Sequence, residues 1–256
     1  MKNICFITQC SLPIPTTKGG AVETLVEYIV DENEREKKYN ITVISVEDEK
    51  AKEISKKHKN TKYIYINKKN KKINNILFYI YRVLKHFGIY IPFSLEFAEA
   101  IRKIKSIDNQ DYYIYEAGPT TQLKALSRII PKEKLLVHLH WDGMSNKRKD
   151  ECFSYLIPVS DYIGKQWMKN TNRKKKKIKV LKNCAQIDQF TKKITIEEKK
   201  ELKADLNIPY TNKVIIFIGR IVQEKGVEQL LKAYEMIERK DVTLLIIRKC
   251  KFWSKN

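Results

Sequence analysis

Short runs of β-branched and aromatic residues alternate along this chain with segments in which apolar residues recur every three or four positions. The short runs are typical of strands buried on both faces of a sheet, and the periodic segments are typical of helices that cover such a sheet. The runs predict strands at 4–8, 41–46, 63–66, 112–115, 135–141, 156–159, 214–218 and 242–247. The periodic segments predict a helix that begins at Ala21 and four further helices, at 73–87, 95–107, 161–169 and 227–237. This alternation predicts the α/β fold class.

The segment 214–240 is the clearest strand, loop and helix in the sequence. Glu228 and Lys232 stand four apart on the polar face of its helix, in the favourable order. Such a unit directs backbone N–H groups and the positive helix end toward the space beyond the strand. Arg220 and Lys225 lie in the loop and add two positive charges. The spacing therefore fits a diphosphate site, although a glycine turn with two solvated basic residues fits it equally well.

A similar order occurs near the start of the chain. The strand at 4–8 is followed by a loop that ends in Gly19 and Gly20, and a helix begins at Ala21. Two glycines let a ligand approach the backbone closely, but a flexible turn explains them equally well.

Two histidines lie near the end of the predicted strand 135–141. The alternation of the strand places His138, His140 and Asp142 on one side, at the end where open α/β sheets bind ligands. Histidines that are hydrogen-bonded in the core explain this pattern. A metal-dependent hydrolase with an H-x-H-x-D ligand set also fits, but less well, because only His58 and His86 remain to complete the site.

Charge is the unusual feature of the composition. The 256 residues include 51 Lys and Arg against 30 Asp and Glu, which gives a net charge of +21. Such a surplus favours anionic partners, and a non-catalytic basic chain that binds anionic surfaces is a second alternative. The basic run 173–177 has no interleaved aromatic residue. We therefore interpret it as a solvated linker and predict no nucleic-acid partner.

The helix predicted at 73–87 follows a cluster of lysines. Its apolar residues are Ile73, Ile76, Leu77, Ile80, Leu84 and Phe87. A basic cluster before an aromatic-rich amphipathic helix fits a helix that lies on an anionic membrane. The pattern favours a second interpretation, a core helix that is preceded by a solvated run of charged residues.

The cysteines and the N-terminus bear on the compartment. Five cysteines, an odd number without a C-x-x-C pair, are typical of reduced thiols. The apolar run after Lys2 is too short for a signal peptide, and no segment has transmembrane length. The sequence predicts a cytoplasmic protein, with peripheral contact at the inner membrane face as an option.

The stretch GRIVQEKGVEQLLKAY resembles the G-R-x4-K-G-x3-L-(L/I)-x-A-(F/Y) segment of family-4 glycosyltransferases, which are retaining enzymes of the two-domain, Rossmann-like GT-B fold. The resemblance implies transfer of a sugar from a nucleotide diphosphate sugar to a glycan or lipid-linked acceptor, as in polysaccharide biosynthesis. It assigns donor binding to Gly219, Arg220 and Lys225 and to Gly19 and Gly20. It also places His140 at the reacting sugar. Charged side chains stabilise a diphosphate without a divalent ion, so we expect no metal and no cofactor.

The resemblance implies two domains, an acceptor-side domain at 1–172 and a nucleotide-sugar-binding domain at 173–256. The segment 178–190 keeps the family's Asn183 and Phe190 but has Cys184 and Gln186 where glycine and aspartate are usual. Arg248 follows the last strand where glycine is usual, and no counterpart of the acidic E-x7-E segment occurs. We therefore expect a C-terminally truncated second domain and impaired activity.

Overall fold

The computed structural model of the chain describes residues 1–68, 71–107, 109–117, 122–142, 145–185, 187, 191 and 193–247. Gln186, Phe190 and Arg248, on which parts of the family comparison depend, lie outside the described residues. The chain divides into two compact units, Met1–Gln186 and Ile187–Asn256. The predicted boundary between residues 172 and 173 falls inside the first of them.

The first unit is built on a six-stranded sheet in which every neighbouring pair is parallel. Its strands are β1 Lys2–Ile7, β2 Tyr39–Val46, β3 Thr61–Ile66, β4 Tyr112–Ala117, β5 Leu135–Leu139 and β6 Tyr155–Pro158. The order across the sheet is β3-β2-β1-β4-β5-β6. The strand order reverses between β1 and β4, and ligands of open α/β sheets bind beyond the carboxyl ends of strands at this kind of position.

Helices connect these strands, and several begin at a side chain that caps the first turn. The helices of the first unit are α1 Ala21–Glu36, α2 Glu49–Ser55, α3 Lys71–His86, α4 Leu95–Lys105, α5 Leu123–Leu126, α6 Lys147–Asp150 and α7 Asp161–Lys169. Asp48, Ser94 and Ser160 each accept a hydrogen bond from a backbone N–H of the helix that follows. These polar residues therefore fix where the helices start.

Both faces of the six-stranded sheet are covered. Phe6 of β1 packs on one face with Val26 of α1, whereas Ile7 packs on the other face in a cluster that includes Phe97 of α4 and Trp167 of α7. This alternation explains why the strands read as continuous apolar runs in the sequence.

The second unit contains a two-stranded parallel sheet among the described residues. Its elements are β7 Lys213–Ile218, β8 Val242–Ile247, α8 Ile196–Asp205 and α9 Val227–Glu235. The prediction that the run 214–218 is buried on both faces is wrong for the described part of the chain. Ile215, Ile216 and Ile218 are exposed because the described residues provide no cover for them.

Arg173 corrects the interpretation of 173–177 as a solvated linker. Its side chain is only 4% exposed. The guanidinium donates hydrogen bonds to Asp150 and to the carbonyl oxygens of Phe153 and Ser154, and it lies 4.1 Å from the centre of the Phe153 ring. Arg173 is therefore part of the packing of the first unit.

Helix α3 also differs from its favoured interpretation as a core helix. It turns Asn74, Leu77 and Tyr81 inward, and Asn74 accepts a hydrogen bond from the backbone N–H of Leu95 at 3.0 Å. Most of its large apolar residues are exposed, namely Ile73, Ile76, Phe78, Tyr79, Ile80 and Val83. No helix in the described part of the chain is both long enough and apolar enough to cross a membrane.

Candidate functional site

The candidate site of the first unit lies at the carboxyl ends of β1, β4 and β5. Glu116 is near the end of β4 and pairs in register with His138 of β5. His140 follows β5, and its backbone N–H donates to the carbonyl oxygen of Ala117 at 3.1 Å. The strand ends earlier than predicted, so Trp141 lies beyond it and is exposed rather than in line with the buried apolar residues.

Glu116 holds both histidines of this site through one carboxylate oxygen. Oε2 accepts a hydrogen bond from Nδ1 of His138 at 2.9 Å and from Nε2 of His140 at 2.7 Å. The centres of the two imidazole rings are 4.3 Å apart. Glu116 is 1% exposed, His138 is 3% exposed, and the side chain of His140 is 9% exposed. The alternation predicted for β5 correctly placed the two histidines on the same side.

The electrostatics of Glu116 depend on these two bonds. Burial acts to raise the pKa of its carboxyl, but the hydrogen bonds and charges of His138 and His140 outweigh burial, and the pKa lies below its usual value. The site therefore holds a buried carboxylate ion. Oε1 of Glu116 and Nε2 of His138 are buried and have no hydrogen-bond partner among the described residues.

These three side chains offer a donor set that suits a metal ion. The ligand atoms of Glu116, His138 and His140 all lie within 4.8 Å of one another. Two ligands of a tetrahedral zinc lie about 3.4 Å apart when each bond is about 2.1 Å. The observed separations of 2.7 and 2.9 Å are shorter and fit N–H···O hydrogen bonds. Asp142, the third ligand of the H-x-H-x-D alternative, is exposed and outside this group.

Gly20 lies next to a second carboxyl group. Its φ of 126° strongly favours glycine, and a Cβ at this position would clash with Oε2 of Glu23. Glu23 is buried in the first turn of α1. Burial raises the pKa of its carboxyl, with a further upward contribution from Glu116 and opposing contributions from its own backbone N–H and from His140. Glu23 is therefore close to the group formed by Glu116 and the histidines.

The loop before Gly19 and Gly20 is anchored to the end of β2. Asp48 accepts a hydrogen bond from Thr17 at 2.9 Å and forms an ion pair with Lys18 at 2.5 Å. The hydrogen bond from Lys18, with smaller contributions from Thr17 and the backbone of Ala51, lowers the pKa of Asp48 to about 2. The positive charge of Lys18 is therefore already paired within the loop.

The loop after β7 has the geometry that the sequence predicted. Gly219 donates its backbone N–H to the carbonyl oxygen of Ile247 at 3.1 Å, and Gly226 begins α9 with a φ of 67°. Arg220 and Lys225 lie between them, and both are exposed. Neither side chain forms an ion pair with a residue that the structure describes. Their two charges are therefore accessible to a ligand.

Sequence reasoning missed Glu116 and Glu23. Glu116 is the acidic residue of a strand that is otherwise aromatic and aliphatic, and this contrast was the available signal. Its pairing with His138 and His140 depends on the register between β4 and β5, which a single sequence does not contain. Glu23 is a usual residue for the first turn of a helix, so nothing in its position distinguished it.

Three comparisons with known proteins each found a glycosyltransferase. Residues 198–248 match the family described as Glycosyl transferases group 1. An uncharacterized glycosyltransferase of Methanocaldococcus jannaschii is 28% identical over 92 residues, which are 36% of this chain and 24% of that protein. The crystal structure of a glycosyltransferase from Rickettsia africae ESF-5 has a TM-score of 0.59 and 17% identity, and the match covers 96% of this chain and 59% of that one. The matches thus span about a quarter of the first relative's length and less than two thirds of the second's.

The structural likeness confirms the predicted α/β class and is consistent with the Rossmann-like GT-B fold. The family match falls in the second unit and includes Gly219, Arg220 and Lys225. It thus covers the stretch in which the sequence predicted a diphosphate site.

Proposed function

We propose that this chain acts in the transfer of a sugar from a nucleotide diphosphate sugar to a hydroxyl of a glycan or lipid-linked acceptor. The reaction proposed is that of the retaining family-4 enzymes. The observation that carries the proposal is the loop after β7, where Arg220 and Lys225 are exposed without carboxylate partners in the described structure. This loop lies in the segment that matches group 1 glycosyltransferases.

The two cations would stabilise the leaving group of the reaction. A nucleoside diphosphate gains negative charge as its bond to the sugar breaks, and fixed positive charges stabilise that change. The backbone N–H groups at the start of α9 add a favourable partial charge. Arg220 and Lys225 supply charge that a divalent ion would otherwise supply, so we propose that no metal and no organic cofactor takes part in this step.

The first unit would contribute the sugar-binding part of the reaction. His140 is proposed to lie at the reacting sugar, with Gly19 and Gly20 allowing the donor to approach the backbone. The carboxyl group of Glu23 beside Gly20 suits hydroxyl groups, which donate hydrogen bonds to it, better than it suits a phosphate. We therefore assign the sugar rather than the diphosphate to this loop.

Calorimetry on the full chain tests the diphosphate assignment. UDP and GDP are titrated into the wild-type protein and into the Arg220→Ala and Lys225→Ala variants, with UMP and GMP as reference ligands. A charge-assisted contact to phosphate contributes about 1.5–3 kcal/mol, so each variant should bind the preferred diphosphate at least tenfold more weakly. Lys240→Ala, which removes an exposed cation elsewhere in the second unit, is the matched control. Equal affinity for mono- and diphosphates, or unchanged affinity in both variants, contradicts the assignment.

We further propose that α3 docks on an anionic membrane surface, where a lipid-linked acceptor would be found. Tyr79 is 65% exposed and Val83 is 58% exposed, and they belong to the larger exposed apolar set of this helix. Apolar side chains of this size stabilise an interfacial helix by entering the boundary between head groups and acyl chains. The inward side of α3 is occupied by Asn74 and Tyr81, so the exposed side is free to do this.

The charge around α3 favours an anionic lipid. No Asp or Glu occurs between Glu53 and Glu96. The Lys and Arg residues in the same interval are Lys56, Lys57, Lys59, Lys62, Lys68, Lys69, Lys71, Lys72, Arg82 and Lys85. Burial and, to a smaller extent, the charge of nearby Lys85 lower the pKa of Lys149 in α6. Each basic residue near an anionic bilayer contributes about 1 kcal/mol to binding.

Vesicle flotation tests the docking surface. The full chain should float with vesicles of phosphatidylcholine and phosphatidylserine and not with phosphatidylcholine alone, and added salt should weaken binding. The double variant Ile76→Ser/Val83→Ser should bind at least tenfold more weakly, whereas Met236→Ser, at another exposed apolar site, should bind normally. Equal binding to both vesicle types, or self-association of the chain through α3 in place of vesicle binding, contradicts the proposal.

A further inference from the structure

We infer that Glu116 is a positioning residue that holds His138 and His140 in opposite tautomers and thereby presents Nδ1 of His140 to the substrate as a hydrogen-bond acceptor. The functional part of this inference rests on the proposed sugar-binding role of His140. The tautomers themselves follow from the geometry of the first unit.

One oxygen of Glu116 is hydrogen-bonded to both histidines. Oε2 of Glu116 is 2.9 Å from Nδ1 of His138 and 2.7 Å from Nε2 of His140. An ionised carboxylate only accepts hydrogen bonds, so both of these ring nitrogens must carry protons. An imidazolium carries a proton on both nitrogens, whereas a neutral imidazole carries only one. When the two rings are neutral, His138 is therefore the Nδ1–H form and His140 is the Nε2–H form.

Burial makes this arrangement specific. Glu116 and His138 are almost completely inaccessible to solvent, so water does not compete for the bonds between them. A buried carboxylate without donors is very unfavourable, and the two imidazoles are its described hydrogen-bond partners. The carboxylate therefore determines the orientation of both rings, and the rings keep it ionised.

The remaining nitrogen of each histidine differs in its surroundings. Nε2 of His138 is enclosed and has no partner among the described residues. Nδ1 of His140 is not among the enclosed atoms, and no described residue forms a hydrogen bond with it. In the Nε2–H tautomer this atom has a free lone pair. It is suited to accept a hydrogen bond from a sugar hydroxyl, whereas in the opposite tautomer Nδ1 carries a proton and could only donate one.

The ring nitrogens can be observed directly by NMR. The full chain, labelled with ¹⁵N in its histidines, is studied at about pH 8, above the ordinary histidine pKa of about 6.5. The chain has four histidines, and the variants His138→Gln and His140→Gln assign the two relevant rings. The spectrum should show a proton on Nδ1 of His138 and on Nε2 of His140. His58, which is hydrogen-bonded to Tyr63 away from this group, serves as an internal reference for the spectra of the variants.

The variant Glu116→Leu separates positioning from simple packing. Leucine has a similar volume but no hydrogen-bond acceptor, so both rings lose the oxygen to which they donate. At least one ring should change its tautomer or become a mixture of the two. Asp142→Asn removes the exposed carboxylate two residues from His140 and should leave both tautomers unchanged.

Three results would overturn the inference. They are a wild-type His140 protonated on Nδ1, unchanged tautomers in Glu116→Leu, or stoichiometric zinc on the histidines of protein purified without chelator. The wild-type spectrum is decisive even if Glu116→Leu does not fold. Failure of Arg220→Ala to weaken diphosphate binding would reject the proposed donor site but would not change the tautomers, so the two claims fail separately.

Discussion

Two segments of this chain have the same local order of strand, glycine-containing loop and helix, and they differ in the charge around the loop. After β1, the loop at Gly19–Gly20 has the carboxyl group of Glu23 against it, and Lys18 is paired with Asp48. After β7, Arg220 and Lys225 are exposed without such partners in the described structure. Glu228, in the helix of that segment, forms an ion pair with Lys232 at 2.7 Å and not with either of these two cations.

The difference teaches that a strand–glycine–helix order does not by itself make an anion site. Both helices direct a positive end toward the loop, but in the first unit a carboxyl group of the chain occupies the position beside the glycine. In the second unit two exposed cations lie in the loop before the helix. We therefore propose that a diphosphate binds at the second loop and that uncharged hydroxyl groups bind at the first.

The two units also differ in how their polar side chains are packed. The guanidinium of Arg173 is buried and bonded to Asp150 at 2.5 Å in the first unit. The pair of Arg239 and Asp241 in the second unit also has a separation of 2.5 Å, but both side chains are about half exposed. Two ion pairs with the same separation therefore differ in their contribution to stability, because one is buried and the other is exposed to solvent.

The largest expected effect comes from the buried ion pair. Arg173→Leu leaves the carboxylate of Asp150 without its cation and removes hydrogen bonds to three carbonyl oxygens, and it should reduce the free energy of unfolding of the first unit by about 4 kcal/mol. Urea unfolding followed by the fluorescence of the buried Trp167 measures this loss. The matched change Arg239→Leu should have no measurable effect. A similar loss in both variants would remove this distinction between the units.

A smaller effect is expected at the two glycine loops. Gly20→Ala places a methyl group against Glu23 in a backbone conformation that alanine rarely adopts, and it should destabilise the first unit by about 2 kcal/mol. In Gly226→Ala the new methyl group would lie 3.6 Å from Oε1 of Gln229, an ordinary van der Waals contact. The change should cost about 1 kcal/mol, because a left-handed conformation is only moderately unfavourable for alanine. Thermal unfolding of both variants compares them. A larger loss of stability in Gly226→Ala than in Gly20→Ala would contradict the conclusion that the first loop is crowded around its glycine.

The smallest effect concerns pH. The folded pKa of Asp48 is about 2, below the unfolded value of about 3.9, so its ion pair with Lys18 stabilises the fold above about pH 4 and loses that effect as pH falls toward 2. Asp48→Asn should make the stability of the first unit less dependent on pH between 4 and 2. Acid titrations of the wild type and the variant, followed by circular dichroism, measure the difference. Parallel curves would show that Asp48 does not contribute.

The sequence predicted most of the fold because apolar runs mark buried strands directly. Asp161–Lys169 was predicted with the bounds that α7 has, and Val242–Ile247 with those of β8. Helix α8 was missed because its apolar residues have no regular period, although the capping box of Thr195 and Glu198 was a usable signal. The prediction that α3 is a core helix was wrong for the described structure. The periodicity of its sequence shows an apolar face but does not show what covers that face.

The candidate site was less predictable than the fold. Local spacing was enough to place Arg220 and Lys225 in one loop, since both lie within a single strand-to-helix connection. The group of Glu116, His138 and His140 comes from two strands, and Glu23 comes from a helix that follows a third. Bringing them together requires the strand order and register of the whole sheet, which the local pattern does not contain.

Hydrogen exchange on the full chain, with and without the nucleoside diphosphate that calorimetry shows to bind, tests the difference between the two loops most directly. We predict that the ligand protects amides of residues 219–230 and leaves those of residues 16–24 unchanged, with no protection in Arg220→Ala. Protection at residues 16–24 in place of 219–230 would show that the first loop binds the diphosphate despite Glu23. That result, or the absence of any protected segment, would contradict the account.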